Sequence, residues 1–221
     1  MSIAWRRSHG AGHSPHEGAR RMAKNDITTQ IKGIDAFLEQ DLAPLHRRII
    51  ENYRRHAILE ITGEWEGIFE PDMTVEHPVY YWNITGMEGV TASGADTVKG
   101  IYKTIAEDET AVMLVEDEKL AVADWGFASD SIFNTYVRGQ YAPDRGIEVD
   151  DPDGYYILRQ HFAMIWRYDE RARLIGEHVY ENIALQEISE IPEGDFITLA
   201  EAKTALRPLL RPLPVLADTH R

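Results

Sequence analysis

Residues 155–168 read YYILRQHFAMIWRY and residues 174–183 read LIGEHVYENI, and these two stretches decide the fold class. Both are rich in β-branched and aromatic residues, which is typical of strands, and residues 169–173 predict a turn between them. The same composition predicts further strands over 111–115, 119–129 and 131–139. The second half of the chain is therefore expected to form a run of antiparallel strands.

The first half of the chain is helical by its apolar spacing. Apolar residues recur at helical intervals over 27–38 and again over 42–62. Residues 73–82 predict a strand and residues 83–92 a glycine-containing loop, after which Ser93 is expected to cap a third helix. Helices followed by antiparallel strands indicate an α+β fold, in which the helices cover one face of a curved sheet and leave a cavity between the two layers.

The composition divides the chain into three parts. Residues 1–25 are rich in Arg, His, Gly and Ser and are interpreted as a flexible N-terminal tail. Residues 26–191 are expected to form a single domain. Residues 192–221 are interpreted as a C-terminal extension, with a short helix over 199–206 and a Pro-rich end.

Charge and cysteine content exclude several classes of protein. The formal net charge is −14, which argues against binding to nucleic acid or to an anionic membrane surface. The chain has no cysteine, so disulfides, thiol nucleophiles and Cys-ligated metals are excluded. No long apolar run predicts a membrane span, and no apolar segment near the start predicts a secretory signal. A cytoplasmic location is expected.

Three short segments carry a resemblance to a known family. They are Glu51-Asn52-Tyr53, Thr74-Val75-Glu76-His77-Pro78-Val79, and the hairpin from Arg167 to Leu174. Together with the order of elements, they make the chain resemble the NTF2-like superfamily, which includes SnoaL-like polyketide cyclases and ketosteroid isomerases. The resemblance implies a cone in which a strongly curved antiparallel sheet and three to four helices enclose a pocket. It also implies a homodimer formed through the convex face of the sheet.

The same resemblance implies roles for particular side chains. Tyr53 stands where ketosteroid isomerases carry the tyrosine that stabilises an oxyanion, and His77 stands in place of their catalytic aspartate. His77 is therefore expected to act as the general base. Tyr102 is expected to support Tyr53. The position of a second oxyanion donor is taken by Met164, which cannot donate, and Glu181 replaces a pocket aromatic, so a true ketosteroid isomerase is not expected.

Two carboxylates are further catalytic candidates. Asp124 lies in an otherwise apolar predicted strand, where a buried carboxylate needs a partner or a catalytic role. Glu181 would stabilise the cation that His77 forms on accepting a proton, if it faces the same pocket. A structural role remains the alternative for each candidate: a histidine packed before a proline for His77, core packing for the tyrosines, and a rim ion pair for Glu181.

The predicted strands also supply the wall of a binding pocket. The expected substrate-binding residues are Trp82, Trp125, Phe162, Met164 and Trp166. Such walls suit a flat, hydrophobic ligand with few polar groups. A metal site made from His77, His161, His178 and Asp124 is the competing use of these groups, but their spacing does not support it. No metal and no cofactor are expected.

Two functions are consistent with these observations. The first is a cofactor-independent enzyme that uses general acid–base chemistry as a lyase, isomerase, cyclase or dehydratase. Its substrate would be a hydrophobic aromatic or polycyclic molecule, such as a polyketide, a steroid or a lignin-derived phenolic. The second is a non-catalytic small-molecule binder or dimeric scaffold of the same fold, which a His77 turned out to solvent would favour.

Overall fold

A layer of helices covers one face of the sheet. The computed structural model describes residues 25–216, and within them the α-helices are α1 Lys32–Leu38, α2 Pro44–Ile61, α3 Ala95–Glu107 and α4 Leu199–Leu206. Helix α2 is the longest of them; it starts with Pro44, whose fixed backbone angle suits the first turn of a helix. Gly63 follows its end with a φ of 68°, the left-handed conformation that commonly closes a helix.

The sheet formed within residues 25–216 has seven strands and is mostly antiparallel. The strands are β1 Val79–Ile84, β2 Met87–Ser93, β3 Met113–Ala123, β4 Gly126–Arg138, β5 Tyr155–Tyr168, β6 Leu174–Glu181 and β7 Glu187–Ile191. Their order is β2-β1-β6-β5-β4-β3, and β7 pairs with the first half of β5. Only the pairing of β1 with β6 is parallel among the described strands. This curved, unclosed sheet with its helices confirms the predicted α+β class.

Along strand β5, side chains alternate between the face that packs on the helices and the face exposed to solvent. Phe162, Met164 and Trp166 point towards the helices and are buried, while Ala163 and Ile165 between them are exposed. This alternation is the ordinary period of a strand that covers a core on one face only. The residues opposite them on β4 and β6 follow the same alternation, so the inward rows of three neighbouring strands form a continuous wall.

The turn between β3 and β4 differs from the prediction. The sequence favoured a break at Asp130, whereas the chain turns at Asp124 and Trp125. Gly126 explains the position, because a Cβ at this residue would lie 1.9 Å from the carbonyl oxygen of Trp166. Only glycine permits so close an approach of two backbones, which fixes the start of β4.

Four smaller features also differ from the prediction. Residues 83–92 hold the turn and most of β2 rather than a loop, and β7 was not predicted at all. Residues 73–78 lie outside strand β1 and join the sheet only through an isolated bridge between Thr74 and Leu174. Helix α3 has Gly94 rather than Ser93 at its N-cap.

The segment after β7 packs on the helix layer. Phe196, Ile197 and Leu206 are buried in the same core as helix α2. Arg54 of α2 binds the carbonyl oxygen of Leu209 at 2.9 Å, which holds the chain end against this helix. The predicted N-terminal tail lies outside the described residues, apart from its last residue. Within residues 25–216, no helix has the length and apolar character needed to cross a membrane.

Candidate functional site

A cavity of about 130 Å³ lies between helices α2 and α3 and the concave face of the sheet. This volume has room for several water molecules or for a small organic molecule. Helix α2 contributes Tyr53, His56 and Glu60 to its wall, and α3 contributes Tyr102. The strands contribute the opposite wall, mainly through inward residues of β1, β4, β5 and β6.

Aromatic and apolar side chains make up most of this wall. Four of the predicted substrate-binding residues line the cavity: Trp82, Phe162, Met164 and Trp166. Phe133 of β4 also lines it. The ring of Trp166 contacts that of Tyr53, with centroids 5.1 Å apart, and that of His56, with centroids 4.9 Å apart. The wall is therefore a closely packed aromatic surface rather than a loose collection of rings.

His56 is the titratable group at the centre of the helical wall. It is 1% exposed, and its Nε2 lies 2.9 Å from the hydroxyl of Tyr102, at hydrogen-bond distance. The same nitrogen lies 3.5 Å from a carboxylate oxygen of Glu60, one helical turn further along α2. The other ring nitrogen, Nδ1, is buried without a partner among the described residues.

Tyr102 is a neutral phenol in this environment. Burial raises the pKa of Tyr102 well above its usual value, and the nearby carboxylate of Glu60 raises it further. The phenol is thus a hydrogen-bond donor at neutral pH. Its partner is His56 rather than Tyr53, so Tyr102 does not have the contact that the predicted supporting role requires.

Glu177 is a carboxyl group buried in the strand wall. It lies on β6 beside Trp166 of β5, and the indole N–H of Trp82 donates a hydrogen bond to its Oε1 at 3.0 Å. Burial raises the pKa of Glu177 to about 8, and the negative charge of Glu60 adds to the rise, while the bond from Trp82 opposes it. Glu177 is therefore mostly protonated at neutral pH.

Tyr53 has a partner that the sequence did not suggest. Its hydroxyl donates to Oε1 of Glu118 on β3 at 2.6 Å. Burial, reinforced by the charge of Glu118, raises the pKa of Tyr53 well above its usual value. Because the hydroxyl proton is already engaged by Glu118, Tyr53 lacks the free donor that an oxyanion-stabilising role requires.

The structure does not bring His77 to this cavity. His77 is exposed in the bend before β1, and it is not among the residues that line the cavity. The expectation that an imidazole at this position meets Tyr53 in a water-poor space is corrected accordingly. The reason is local: β1 begins only at Val79, so His77 is not held in the inward row of a strand.

The three remaining predicted residues also lie outside the cavity. Asp124 is in the β3–β4 turn, 90% exposed, where it pairs with Nε2 of His46 at 2.8 Å. Trp125 follows it and is 50% exposed. Glu181 ends β6 and accepts hydrogen bonds from the backbone of Thr85 and the side chain of Gln186, which gives it a role in holding the loop after the strand.

The residues of the alternative metal site are not brought together. His161 pairs with Asp130 at 2.7 Å, and His178 packs against the ring of Tyr81 on the outward face of the sheet. Among residues 25–216, no group of three or more His, Asp and Glu side chains has a geometry that would hold a metal ion.

Comparison with known proteins supplies a resemblance in fold. No protein-family model matches the chain, and no curated protein sequence matches it significantly. A SnoaL-like polyketide cyclase from Jannaschia sp. CCS1 is 10% identical, over 66% of this chain and 92% of that chain, with a TM-score of 0.47. The CaMKII hub of S. rosetta is 12% identical, over 64% of this chain and 99% of that chain, with a TM-score of 0.42.

A third solved structure is the Mycobacterium tuberculosis protein RV0760c in complex with estradiol-17β-hemisuccinate. It is 12% identical, over 60% of this chain and 90% of that chain, with a TM-score of 0.38. The chain resembles SnoaL-like and related NTF2-like proteins in fold. A shared fold does not assign a reaction, which must come from the chemistry of the site.

The sequence reasoning missed Glu60 and Glu177, and it considered His56 as a residue that could reach the cavity but favoured its exposure, which is wrong because His56 is buried. His56 and Glu60 follow Tyr53 at intervals of three and seven residues, which places all three on one face of α2. That spacing was a usable signal for His56 and Glu60. Glu177 and the predicted Glu181 lie on the same face of β6, four residues apart. The prediction therefore named the correct face of the strand but chose the carboxylate at its end instead of the one beside the cavity.

Proposed function

We propose that the protein transforms a small, largely apolar organic molecule inside this cavity by general acid–base chemistry. The observation that carries the proposal is the hydrogen bond between His56 and Tyr102 in the cavity wall, with Glu60 next to the same nitrogen. A buried histidine paired with a neutral phenol can take a proton from a bound molecule and return it.

Each of these groups has a distinct role in the proposal. His56 accepts a proton from the bound molecule, and the carboxylate of Glu60, 3.5 Å away, stabilises the imidazolium that results. With the ring proton on Nε2, His56 donates to the oxygen of Tyr102, which leaves Nδ1 as the base. The hydroxyl proton of Tyr102 is then available for the oxygen or nitrogen on which negative charge develops. Glu177, held by Trp82, binds a polar group of the molecule at the strand wall.

The reaction class follows from these roles. Removal of a proton at one atom and return of a proton at another produces an isomerisation, a cyclisation, a dehydration or a lysis, according to the bond that breaks. The aromatic wall favours substrates that contain a ring, and the volume of about 130 Å³ favours small ones.

A general proton-abstraction probe tests this proposal without the natural substrate. With 5-nitrobenzisoxazole, a base removes the ring C–H proton, the N–O bond breaks, and the product is a nitrile-bearing phenolate that is detected by its absorbance. We expect saturable acceleration that exceeds that of free imidazole at the same concentration, because the base is buried in the cavity wall. Indole, which we expect to bind in the cavity without reacting, should inhibit competitively. Acceleration that indole does not affect would place the reacting base elsewhere and contradict the proposal.

A non-catalytic binder of small molecules is the second candidate. Two observations favour it: the exposed position of His77 and the engagement of the Tyr53 hydroxyl by Glu118. A protein that binds indole but leaves 5-nitrobenzisoxazole no more reactive than in imidazole solution would support this candidate over the enzyme.

The outward face of the sheet supports the expectation of a homodimer. Tyr81, Ile165 and Tyr180 are 41%, 39% and 47% exposed on neighbouring strands β1, β5 and β6. An adjoining group of large apolar side chains on a sheet face is typical of a protein interface. Light scattering at micromolar concentration should give the mass of a dimer for the wild type and that of a monomer for Tyr180→Lys. A monomeric wild type would contradict this expectation.

A further inference from the structure

Within residues 25–216, every charged residue in the cavity wall apart from histidine is acidic. Glu60 lies on the helical side and Glu177 on the strand side, and no Lys or Arg of this part of the chain lines the cavity. The charge of Glu60 acts on Glu177, Tyr53 and Tyr102 alike. A carboxylate or phosphate ligand would therefore enter a space of unfavourable potential with no cation to bind it.

The aromatic rings around these carboxyl groups also favour positive charge. Trp82 binds Glu177 directly, and Trp166 is its neighbour on the next strand. The face of an indole ring attracts a cation, most strongly where water is excluded. The aromatic rings and the carboxyl groups thus both favour a positively charged group on the ligand.

Glu177 has a free oxygen for such a group. The indole of Trp82 donates to Oε1, whereas Oε2 makes no hydrogen bond to any residue within 25–216. Glu177 is also buried, with 5% of its surface exposed. The ionised form of a buried carboxyl group is costly without a cationic partner, and a ligand can supply that partner.

We propose that the molecule bound in this cavity carries a basic nitrogen, which binds as an ammonium ion to Glu177 against the indole rings of Trp82 and Trp166. This inference rests on the proposed function, because it names the class of molecule that the same cavity takes. It assigns Glu177 to recognition and leaves proton transfer to His56 and Tyr102.

Binding of an ammonium ion requires a balanced proton transfer. Glu177 carries a proton in the empty cavity at neutral pH, so the arriving ammonium displaces one proton to solvent. Equivalently, the neutral amine takes the proton of Glu177. The titratable groups around Glu177 are Glu60 of α2, Tyr102 of α3, Tyr80 of β1 and Tyr168 of β5. His56 of α2 lines the same cavity, and it alone among these groups can take a positive charge.

The pH dependence of amine binding follows from this exchange. Because the pKa of Glu177 is raised to about 8, binding below that pH must first remove its proton. We expect the affinity for an amine to weaken roughly fifty-fold between about pH 8 and about pH 6. The affinity for an uncharged ligand of the same shape should change little over this interval.

Three single-ring probes of matched shape test the inference by calorimetry: benzylamine, benzyl alcohol and benzoate. With the wild type at about pH 8, benzylamine should bind at least about tenfold more tightly than benzyl alcohol, and benzoate most weakly. In Glu177→Gln the preference for benzylamine should disappear, while benzyl alcohol still binds. Titrations of the wild type at about pH 6.5, in two buffers of different ionisation enthalpy, should show release of close to one proton per benzylamine.

The outcomes separate this inference from the proposed function. Benzyl alcohol or benzoate binding as tightly as benzylamine, a preference that survives in Glu177→Gln, or no binding of benzylamine at millimolar concentration would each overturn the amine assignment. If the protein accelerates the breakdown of 5-nitrobenzisoxazole and any of these results is also found, the acid–base proposal stands and only the amine assignment fails. Selective binding of benzylamine without acceleration would support the amine assignment and contradict the catalytic proposal.

Discussion

The variant Glu177→Gln is expected to be more stable than the wild type at about pH 8, and this advantage should shrink as the pH falls towards about 5. In the unfolded chain the carboxyl group of Glu177 ionises around its ordinary pKa of 4.5, whereas in the folded protein its pKa is about 8 because the group is buried near Glu60. Glutamine is similar in shape and carries no charge in either state. The variant therefore removes the pH dependence that Glu177 adds to folding.

The direction of the effect follows from proton binding in the two states. A group whose pKa is higher in the folded than in the unfolded state contributes stability that is fully present below its unfolded pKa. For Glu177 this contribution declines from about pH 4.5 upwards and is lost as the pH rises through about 8. The difference in unfolding free energy between wild type and Glu177→Gln should change by roughly 3 kcal/mol between about pH 5 and about pH 8.

Urea unfolding of both proteins at the two pH values measures this change. The matched control is Glu187→Gln, since Glu187 is an exposed residue of β7 and its replacement should shift stability by less than about 0.5 kcal/mol at either pH. A wild-type to Glu177→Gln difference that is the same at both pH values would show that Glu177 is not a buried neutral acid.

The variant Trp166→Ala is expected to lose about 3 to 5 kcal/mol of unfolding free energy. Trp166 is 4% exposed and packs against Tyr53, His56 and Phe127, so its removal leaves an enlarged cavity in the centre of the protein. The enlarged cavity should also admit ligands with one more ring than the wild type accepts.

Trp125→Ala is the matched control for this change. Trp125 is 50% exposed in the β3–β4 turn, so its replacement should cost less than about 1 kcal/mol. Urea unfolding of both variants at one pH gives the comparison. Equal losses for the two variants would contradict the description of Trp166 as a wall of the cavity and Trp125 as a surface residue.

These two tryptophans also show what the sequence can and cannot determine. Composition and alternation predicted β5 at its observed bounds, and Trp166 on its inward face follows from that strand alone. Whether Trp125 is buried or exposed depended on where β3 ends. That end is set by the contact between Gly126 and the carbonyl of Trp166, a long-range approach that the local pattern does not contain.

The candidate site was less predictable than the fold for a similar reason. Tyr53 is buried on α2, but its partner Glu118 is distant in sequence and lies between the strands predicted over 111–115 and 119–129. His77 was assigned a role by analogy with a segment of the resembling family, and its exposure depends on the late start of β1. Helical spacing from Tyr53 allowed His56 to reach the cavity, but that spacing alone did not decide between burial and exposure.

The choice between His56 and His77 is the most direct test of the account as a whole. The rate of 5-nitrobenzisoxazole breakdown should be measured for His56→Gln and His77→Gln, after circular dichroism has shown that both variants are folded. We expect His56→Gln to lose about a hundredfold or more of the acceleration, because the buried base is gone, and His77→Gln to react like the wild type. Full activity in His56→Gln, or loss of activity in His77→Gln, would contradict the assignment of proton transfer to this cavity.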